Sequence, residues 1–137
     1  MYKLKIDKNQ TIVSIQKAFN DIYKFLRIGF FAKPHKEGEA TSKKFMITGN
    51  KMLSEIQAIK GKEGVITFDD NTRVIDFEND FRKGYGLYVQ LFRKSGNIWL
   101  EITNTDHWTL KQQNDEGQSL ETAITPEPDS PDDHDIY

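Results

Sequence analysis

The stretch from Leu87 to Ile102 constrains the fold most, because it has the pattern of a β-hairpin. Ser95-Gly96 predicts a two-residue turn at its tip, since glycine accepts the positive φ that such turns require. With this turn, four cross-strand pairs follow: Phe92 with Trp99, Leu91 with Leu100, Gln90 with Glu101, and Val89 with Ile102. The segment therefore predicts two adjacent antiparallel strands near the end of the chain.

The two faces of this hairpin differ in chemistry, because side chains alternate along a strand. One face is entirely aliphatic and consists of Leu87, Val89, Leu91, Leu100 and Ile102. The other carries aromatic rings and consists of Tyr88, Phe92, Trp99 and Thr103. A slip by one residue would bury Gln90 and Glu101 in place of the aliphatic side chains, so the pattern predicts which face is core.

Apolar spacing predicts further elements before the hairpin. They are a strand over 3–7, a helix capped by Thr11, a strand over 25–31, a loop over 32–44, a strand over 45–47, a helix over 52–59, a strand over 65–68 and a helix capped by Thr72. A short closing element is predicted at 106–114. The order of strands and helices indicates a mixed α and β domain.

The first strand and helix resemble the third strand and second long helix when 62 is added to each residue number. The matching pairs are Asp7 and Asp69, Asn9 and Asn71, Ile12 and Val74, Ile15 and Phe77, Phe19 and Phe81, and Tyr23 and Tyr85. Two amphipathic units can also converge on this pattern by chance. We predict an α+β fold of two βαβ-like halves on one mixed sheet, in a ferredoxin-like (split βαβ) arrangement that ends in the hairpin.

Charge divides the chain into a basic body and an acidic tail. Residues 1–113 contain all 19 Lys and Arg and 13 of the 21 Asp and Glu, while residues 114–137 contain the remaining 8 acidic residues. The tail is also rich in proline, so we predict a single domain over 1–113 and a disordered acidic tail over 114–137. Such a tail either keeps a basic domain soluble or competes with an anionic partner for the body.

The sequence offers little evidence for catalysis. The absence of cysteine excludes disulfides, thiol catalysis and cysteine-ligated metals, and we expect no cofactor. No apolar run approaches membrane-spanning length and no signal peptide is present, so we expect a cytoplasmic protein without a membrane partner. Asp69, Asp70 and His107 could form a corner of an active site, but capping and surface roles fit them better. We therefore predict that the protein is not an enzyme.

The aromatic hairpin face is the strongest candidate for function. On a single sheet it would display rings among basic side chains, and we predict a partner-binding site there. Its members are Tyr88, Phe92, Trp99, Arg27, Phe31 and Lys5. The leading hypothesis is a non-enzymatic binding or adaptor module for a protein partner or for self-association. The alternative is a single-stranded nucleic-acid-binding module in which bases stack on the rings and the acidic tail competes.

A covered face is the other interpretation, because proteins seldom leave contiguous apolar patches bare. The helix over 52–59, the element around Trp108 and Leu110, or a second subunit could cover it.

Two segments carry a resemblance to a known group of proteins. They are FLRIGFFAKPHKEGE at 25–39 and VQLFRKSGNIWLEITNTDHWTLKQQN at 89–114. With the repeat, they make residues 1–114 similar to a family of small uncharacterised cytoplasmic proteins from Bacteroidota. The resemblance implies no activity and assigns no functional residue.

Overall fold

The computed structural model describes residues 1–34 and 43–124 and confirms the α+β class. In chain order the elements are β1 (Tyr2–Ile6), α1 (Ile12–Ile22), β2 (Leu26–Phe31), a 3-10 turn (Lys43–Phe45), α2 (Leu53–Ile56), β3 (Gly64–Phe68), α3 (Val74–Tyr85), β4 (Tyr88–Ser95), β5 (Ile98–Glu101) and α4 (Leu110–Ile124). Among the described residues, no helix is long and apolar enough to cross a membrane.

The ends of the two long helices follow from local chemistry. The predicted Thr11 cap is confirmed, since the Thr11 Oγ1 accepts a 3.2 Å hydrogen bond from the Ser14 N–H. The N-cap of α3 is Arg73, one residue beyond the predicted cap, because the Thr72 hydroxyl instead accepts a hydrogen bond from the Asp69 N–H. Gly86 ends α3 with a φ of 64°, a conformation that glycine adopts without steric cost.

The strands form two antiparallel sheets, so the predicted single mixed sheet and its ferredoxin-like topology are wrong. β1 pairs with β3, and the second sheet has the order β2-β4-β5. The prediction treated α1 and α3 as crossovers between strands of one sheet. Each helix instead joins a strand of the first sheet to a strand of the second.

The strand registers relate the two halves as a twofold axis would. Leu4 faces its repeat counterpart Ile66, 62 residues later, and Gly29 faces Gln90, 61 residues later. Antiparallel pairing about equivalent residues is the arrangement of a self-complementary contact. The starts of α2 and α4 repeat it: Leu53 N–H donates to the Gln10 carbonyl at 2.9 Å, and Leu110 N–H donates to the Thr72 carbonyl at 2.8 Å.

The hydrophobic core lies between the two sheets and the long helices. Phe19 of α1 meets Phe77 of α3 with ring centroids 5.0 Å apart, and both rings are completely buried. Leu26, Ile28 and Phe30 from β2 contribute one face of the three-stranded sheet to the same cluster. The core also contains Val89 and Leu91 of β4 and Leu87 directly before it, as the hairpin pattern predicted.

The hairpin register differs from the prediction by two residues. The observed pairs are Phe92 with Glu101, Arg93 with Leu100, Lys94 with Trp99 and Ser95 with Ile98. The turn is therefore Gly96-Asn97, with φ of 66° at Gly96, which suits a turn whose first central residue is glycine. A shift by two keeps every side chain on its predicted face, but Leu100 now lies opposite Arg93 and is exposed, so its assignment to the core is wrong.

The C-terminal boundary also differs from the prediction. The fully buried Gln113 side chain donates to the Thr105 carbonyl at 2.7 Å and accepts from the Arg93 guanidinium at 2.9 Å. Asn114 accepts a 2.9 Å hydrogen bond from the Phe25 N–H. Residues 114–124 thus belong to the folded domain as part of α4, and the boundary after 113 is wrong. The predicted tail beyond 124, and the part of the predicted loop over 35–42, lie outside the described residues.

Candidate protein-interaction surface

The outer edge of β2 is closed by the first half of the chain. Side-chain amides of α1 donate to two of its carbonyls: Gln16 to Ile28 at 2.8 Å, and Asn20 to Leu26 at 2.9 Å. Further along, the Ile47 N–H donates to the Phe30 carbonyl at 2.8 Å, and Met46 forms an isolated antiparallel β-bridge with Phe31. This edge therefore has little backbone left for another strand.

The outer edge of β5 is different. β5 pairs with β4 on one side, and no strand of the described residues pairs with it on the other. The Ile102 N–H donates to the Leu91 carbonyl, so the backbone groups of Ile102 point toward β4. Because this direction alternates along an antiparallel strand, the N–H and carbonyl of Trp99, three residues earlier, point away from β4. Ile98 and Leu100 are 55% and 45% exposed. An edge strand with exposed aliphatic side chains is a template for strand pairing.

Trp99 lies on the opposite face of β5 from these two aliphatic residues and is half-buried. The Arg27 guanidinium carbon lies 5.4 Å from the centroid of its ring, and the Lys94 ammonium lies 5.9 Å from it. Both cations are thus within reach of the ring's negative face. Among the described residues, neither cation forms an ion pair with a carboxylate.

A groove extends from Trp99 toward the N-terminal half. Its deeper part encloses about 280 Å³ between Arg27, Trp99, Phe92, Lys43 and Met46. A shallower part of about 390 Å³ continues past Arg27 and Trp99 along α1. Among the described residues, the lining of both parts contains basic, polar and apolar side chains but no carboxylate. We call this cleft the Trp99 groove.

The predicted aromatic platform is largely covered. The Phe31 and Phe92 rings stack at a centroid distance of 6.5 Å, and both are buried. Gln90, on the same face, is completely buried. Met46 bridges Phe31 and lines the groove with Phe92, so residues 43–47 contribute to the cover. The covers predicted from 52–59 and 108–110 lie elsewhere, since Leu53 and Leu110 are part of the core.

The other predicted site residues do not assemble at one place. Tyr88 is half-buried beside a small separate cavity of about 50 Å³ lined also by Glu78 and Arg82. Lys5 belongs to β1, in the other sheet, with its ammonium 3.6 Å from Asp7. The single platform that required Lys5 beside the hairpin is therefore wrong. Of the predicted set, the structure brings Trp99 and Arg27 together on accessible surface.

The candidate catalytic corner shows structural contacts. Asp69 accepts a 2.9 Å hydrogen bond from the Asn71 N–H, as a turn-forming aspartate does. Asp70 accepts a 2.7 Å hydrogen bond from the Tyr23 hydroxyl. Burial, and then this hydrogen bond, raise the pKa of the Tyr23 phenol. Among the described residues, no group of three His, Cys, Asp or Glu side chains could hold a metal ion.

Sequence reasoning missed the aliphatic part of this surface. Leu100 was predicted in the core and Ile98 was assigned to neither face, whereas both side chains are exposed on β5. The signal that could have found them was the alternative Gly96-Asn97 turn, which places Ile98 opposite Ser95 and Leu100 opposite Arg93. Lys43 and Met46 had no recognisable pattern, because they reach the groove through contacts between distant parts of the chain.

No family model, curated protein or solved structure matches this chain. The resemblance to a Bacteroidota family therefore stays a prediction.

Proposed function

We propose that this protein is a non-enzymatic, cytoplasmic binding module that engages a protein partner through the β5 edge. In this proposal a strand of the partner pairs with the outward backbone groups of Trp99. Main-chain hydrogen bonds would supply affinity in such a complex, and side-chain contacts on alternate faces would supply specificity. The partner strand would contact Ile98 and Leu100 on one face and the Trp99 ring on the other.

The observation that carries this proposal is the difference between the two outer edges of the same sheet. β2 is covered by Gln16, Asn20 and residues 45–47, as expected where strand pairing is avoided. β5 has no such cover among the described residues and exposes two aliphatic side chains. Exposed apolar residues beside unpaired strand backbone favour an interface over a solvated face.

Introducing lysine side chains at the outer edge of β5 tests the proposal. In the Ile98→Lys, Leu100→Lys double variant, we expect captured partner, or self-association, to be lost without a large loss of stability, because both side chains are already about half exposed. The matched control is Val65→Lys on β3, where the exposed fraction is 48%. Capture from a cell extract is compared by mass spectrometry, and self-association is measured by sedimentation.

The proposal requires one partner that is retained by the original chain and by Val65→Lys but lost in the double variant. Equal retention by all three proteins would refute it. Thermal unfolding of each variant shows whether a loss of binding reflects a loss of folding.

Single-stranded nucleic acid is the second candidate, favoured by the two cations at the Trp99 ring. The burial of Phe31 and Phe92 removes two rings from the predicted stacking platform, which places this candidate second. Stacking on the remaining ring would contribute roughly 1–3 kcal/mol per base. Fluorescence anisotropy of a labelled oligonucleotide at low salt tests it, and no binding by a chain with the acidic residues of 125–137 neutralised would exclude it.

A further inference from the structure

We propose that residues 125–137 of this chain bind in the Trp99 groove and occupy the surface beside the β5 edge. The inference deepens the proposed function and rests on it, since it assigns an internal competitor to the same surface. It also defines the chemistry that this surface prefers, which is an acidic segment with an apolar or aromatic side chain.

Charge complementarity is the first support. The 13 residues of this segment contain five acidic side chains and no Lys or Arg. The groove presents Arg27 and Lys43, with Lys94 at the Trp99 ring. Among the described residues these three cations form no ion pair with a carboxylate. A cleft lined by one sign of charge between apolar walls raises the local concentration of the opposite charge.

The side chains of the segment match the remaining lining. Ile136 and Tyr137 follow the acidic run, and the groove offers Met46, Phe92 and the Trp99 ring as apolar contacts. Acidic residues at the basic rim and an apolar pair in the deeper part would satisfy both kinds of lining at once. Contact between these apolar side chains would remove their surface from water, which is favourable.

The position of α4 makes the contact geometrically accessible. Gly117 packs against the Phe25 side chain and the backbone of Lys94, so α4 passes close to the tip of the hairpin. The seven residues from there to Ile124 rise about 10 Å in a helix. Thirteen further residues span up to about 40 Å when extended. Because Lys94 itself contacts the Trp99 ring, the groove lies well within this reach.

Trp99 fluorescence provides a direct test in the full chain. Trp108→Phe leaves Trp99 as the single tryptophan, and two proteins are compared in that background. In the first the segment is unchanged; the second carries the substitutions Glu127→Gln, Asp129→Asn, Asp132→Asn, Asp133→Asn and Asp135→Asn. A control carries Asp115→Asn and Glu116→Gln, which neutralise acidic residues of α4 instead.

We expect neutralisation of the segment to shift Trp99 emission to longer wavelength and to increase its quenching by acrylamide at low salt, while the α4 control changes neither. A synthetic peptide of residues 125–137 added to the neutralised chain should reverse the shift. Arg27→Gln should abolish that reversal. Raising the salt to 1 M, where the Debye length is about 3 Å, should expose Trp99 in the unchanged chain as well.

Equal quenching of Trp99 in the unchanged and neutralised chains at low salt would overturn the inference. So would a peptide effect that survives Arg27→Gln. The edge variants keep the two proposals distinguishable. If Ile98→Lys, Leu100→Lys abolishes partner capture while Trp99 quenching is equal in both chains, only the internal competitor is refuted. If the segment protects Trp99 but capture is insensitive to the edge charges, the β5 interface is refuted.

Discussion

Phe92 and Trp99 lie on the same face of the hairpin, but their side chains differ in burial. Phe92 is 8% exposed and stacks on Phe31 with an interplanar angle of 12°. Trp99 is half-buried on the edge strand and contacts Arg27 and Lys94. We therefore predict that Phe92→Ala lowers the free energy of unfolding strongly, whereas Trp99→Ala lowers it weakly and impairs binding.

The two magnitudes follow from burial. Replacing a buried phenylalanine by alanine costs about 3–5 kcal/mol, and the residual exposure of Phe92 places it near the lower end. In a folded domain of this size such a loss lowers Tm by roughly 10–15 °C. For Trp99 the cation contacts contribute about 0.5–1 kcal/mol at an exposed site, so the expected loss of stability is about 1 kcal/mol.

Urea unfolding followed by far-ultraviolet circular dichroism measures both losses without depending on tryptophan fluorescence. The urea dependence of the unfolding free energy should stay the same in both variants, because neither changes the surface exposed on unfolding by much. If Phe92→Ala cost no more than Trp99→Ala, the Phe92 ring would be accessible surface and its assignment to the interior would be wrong.

Two further predictions concern packing and protonation. Gly29→Ala should destabilise the protein by about 1–3 kcal/mol, because the added Cβ would lie 2.6 Å from a Phe92 ring carbon. In Gly84→Ala, within α3, the added Cβ meets no atom within 4 Å, so this variant should be more stable by up to about 1 kcal/mol. Thermal unfolding compares the two variants with the original chain. Tyr23→Phe should cost about 1.5–3 kcal/mol at pH 8, through the lost hydrogen bond to Asp70. Burial raises the pKa of the Tyr23 phenol in the folded state. The contribution of this phenol to the free energy of unfolding is therefore complete below the unfolded-state pKa of about 10, and it declines at higher pH because the unfolded chain then ionises first. The difference between the two proteins in urea unfolding should therefore narrow from pH 8 to pH 11, and a constant difference would contradict this assignment.

Local chemistry made much of the fold predictable. The Thr11 cap, the stripe that buries Ile15 and Phe19, and the alternation along β4 each depend on residues a few positions apart. These features are determined by short-range sterics and by side-chain period, which a sequence displays directly.

Long-range pairing was not predictable on the same basis. A βαβ pattern is compatible with strands in one sheet or in two, because amphipathic spacing records which face is buried and not which strand is adjacent. The alternation of side chains has a period of two residues, so it does not distinguish two hairpin registers that differ by two residues. Acidic composition suggested disorder beyond 113, yet Gln113 and Asn114 make tertiary hydrogen bonds that anchor α4.

The candidate surface arises where the two halves of the repeat diverge. Gln16 and its counterpart Glu78 both reach sheet backbone: Gln16 donates to the Ile28 carbonyl, and Glu78 accepts from the Leu91 N–H at 2.8 Å. In the first half, residues 45–47 complete the closure of β2. In the second half, the strand β5 pairs with β4 at the corresponding position, and β5 has an outer edge of its own. This outer edge has no counterpart in the first half of the chain. That edge lies beside the Trp99 groove, for which we propose residues 125–137 as the occupant.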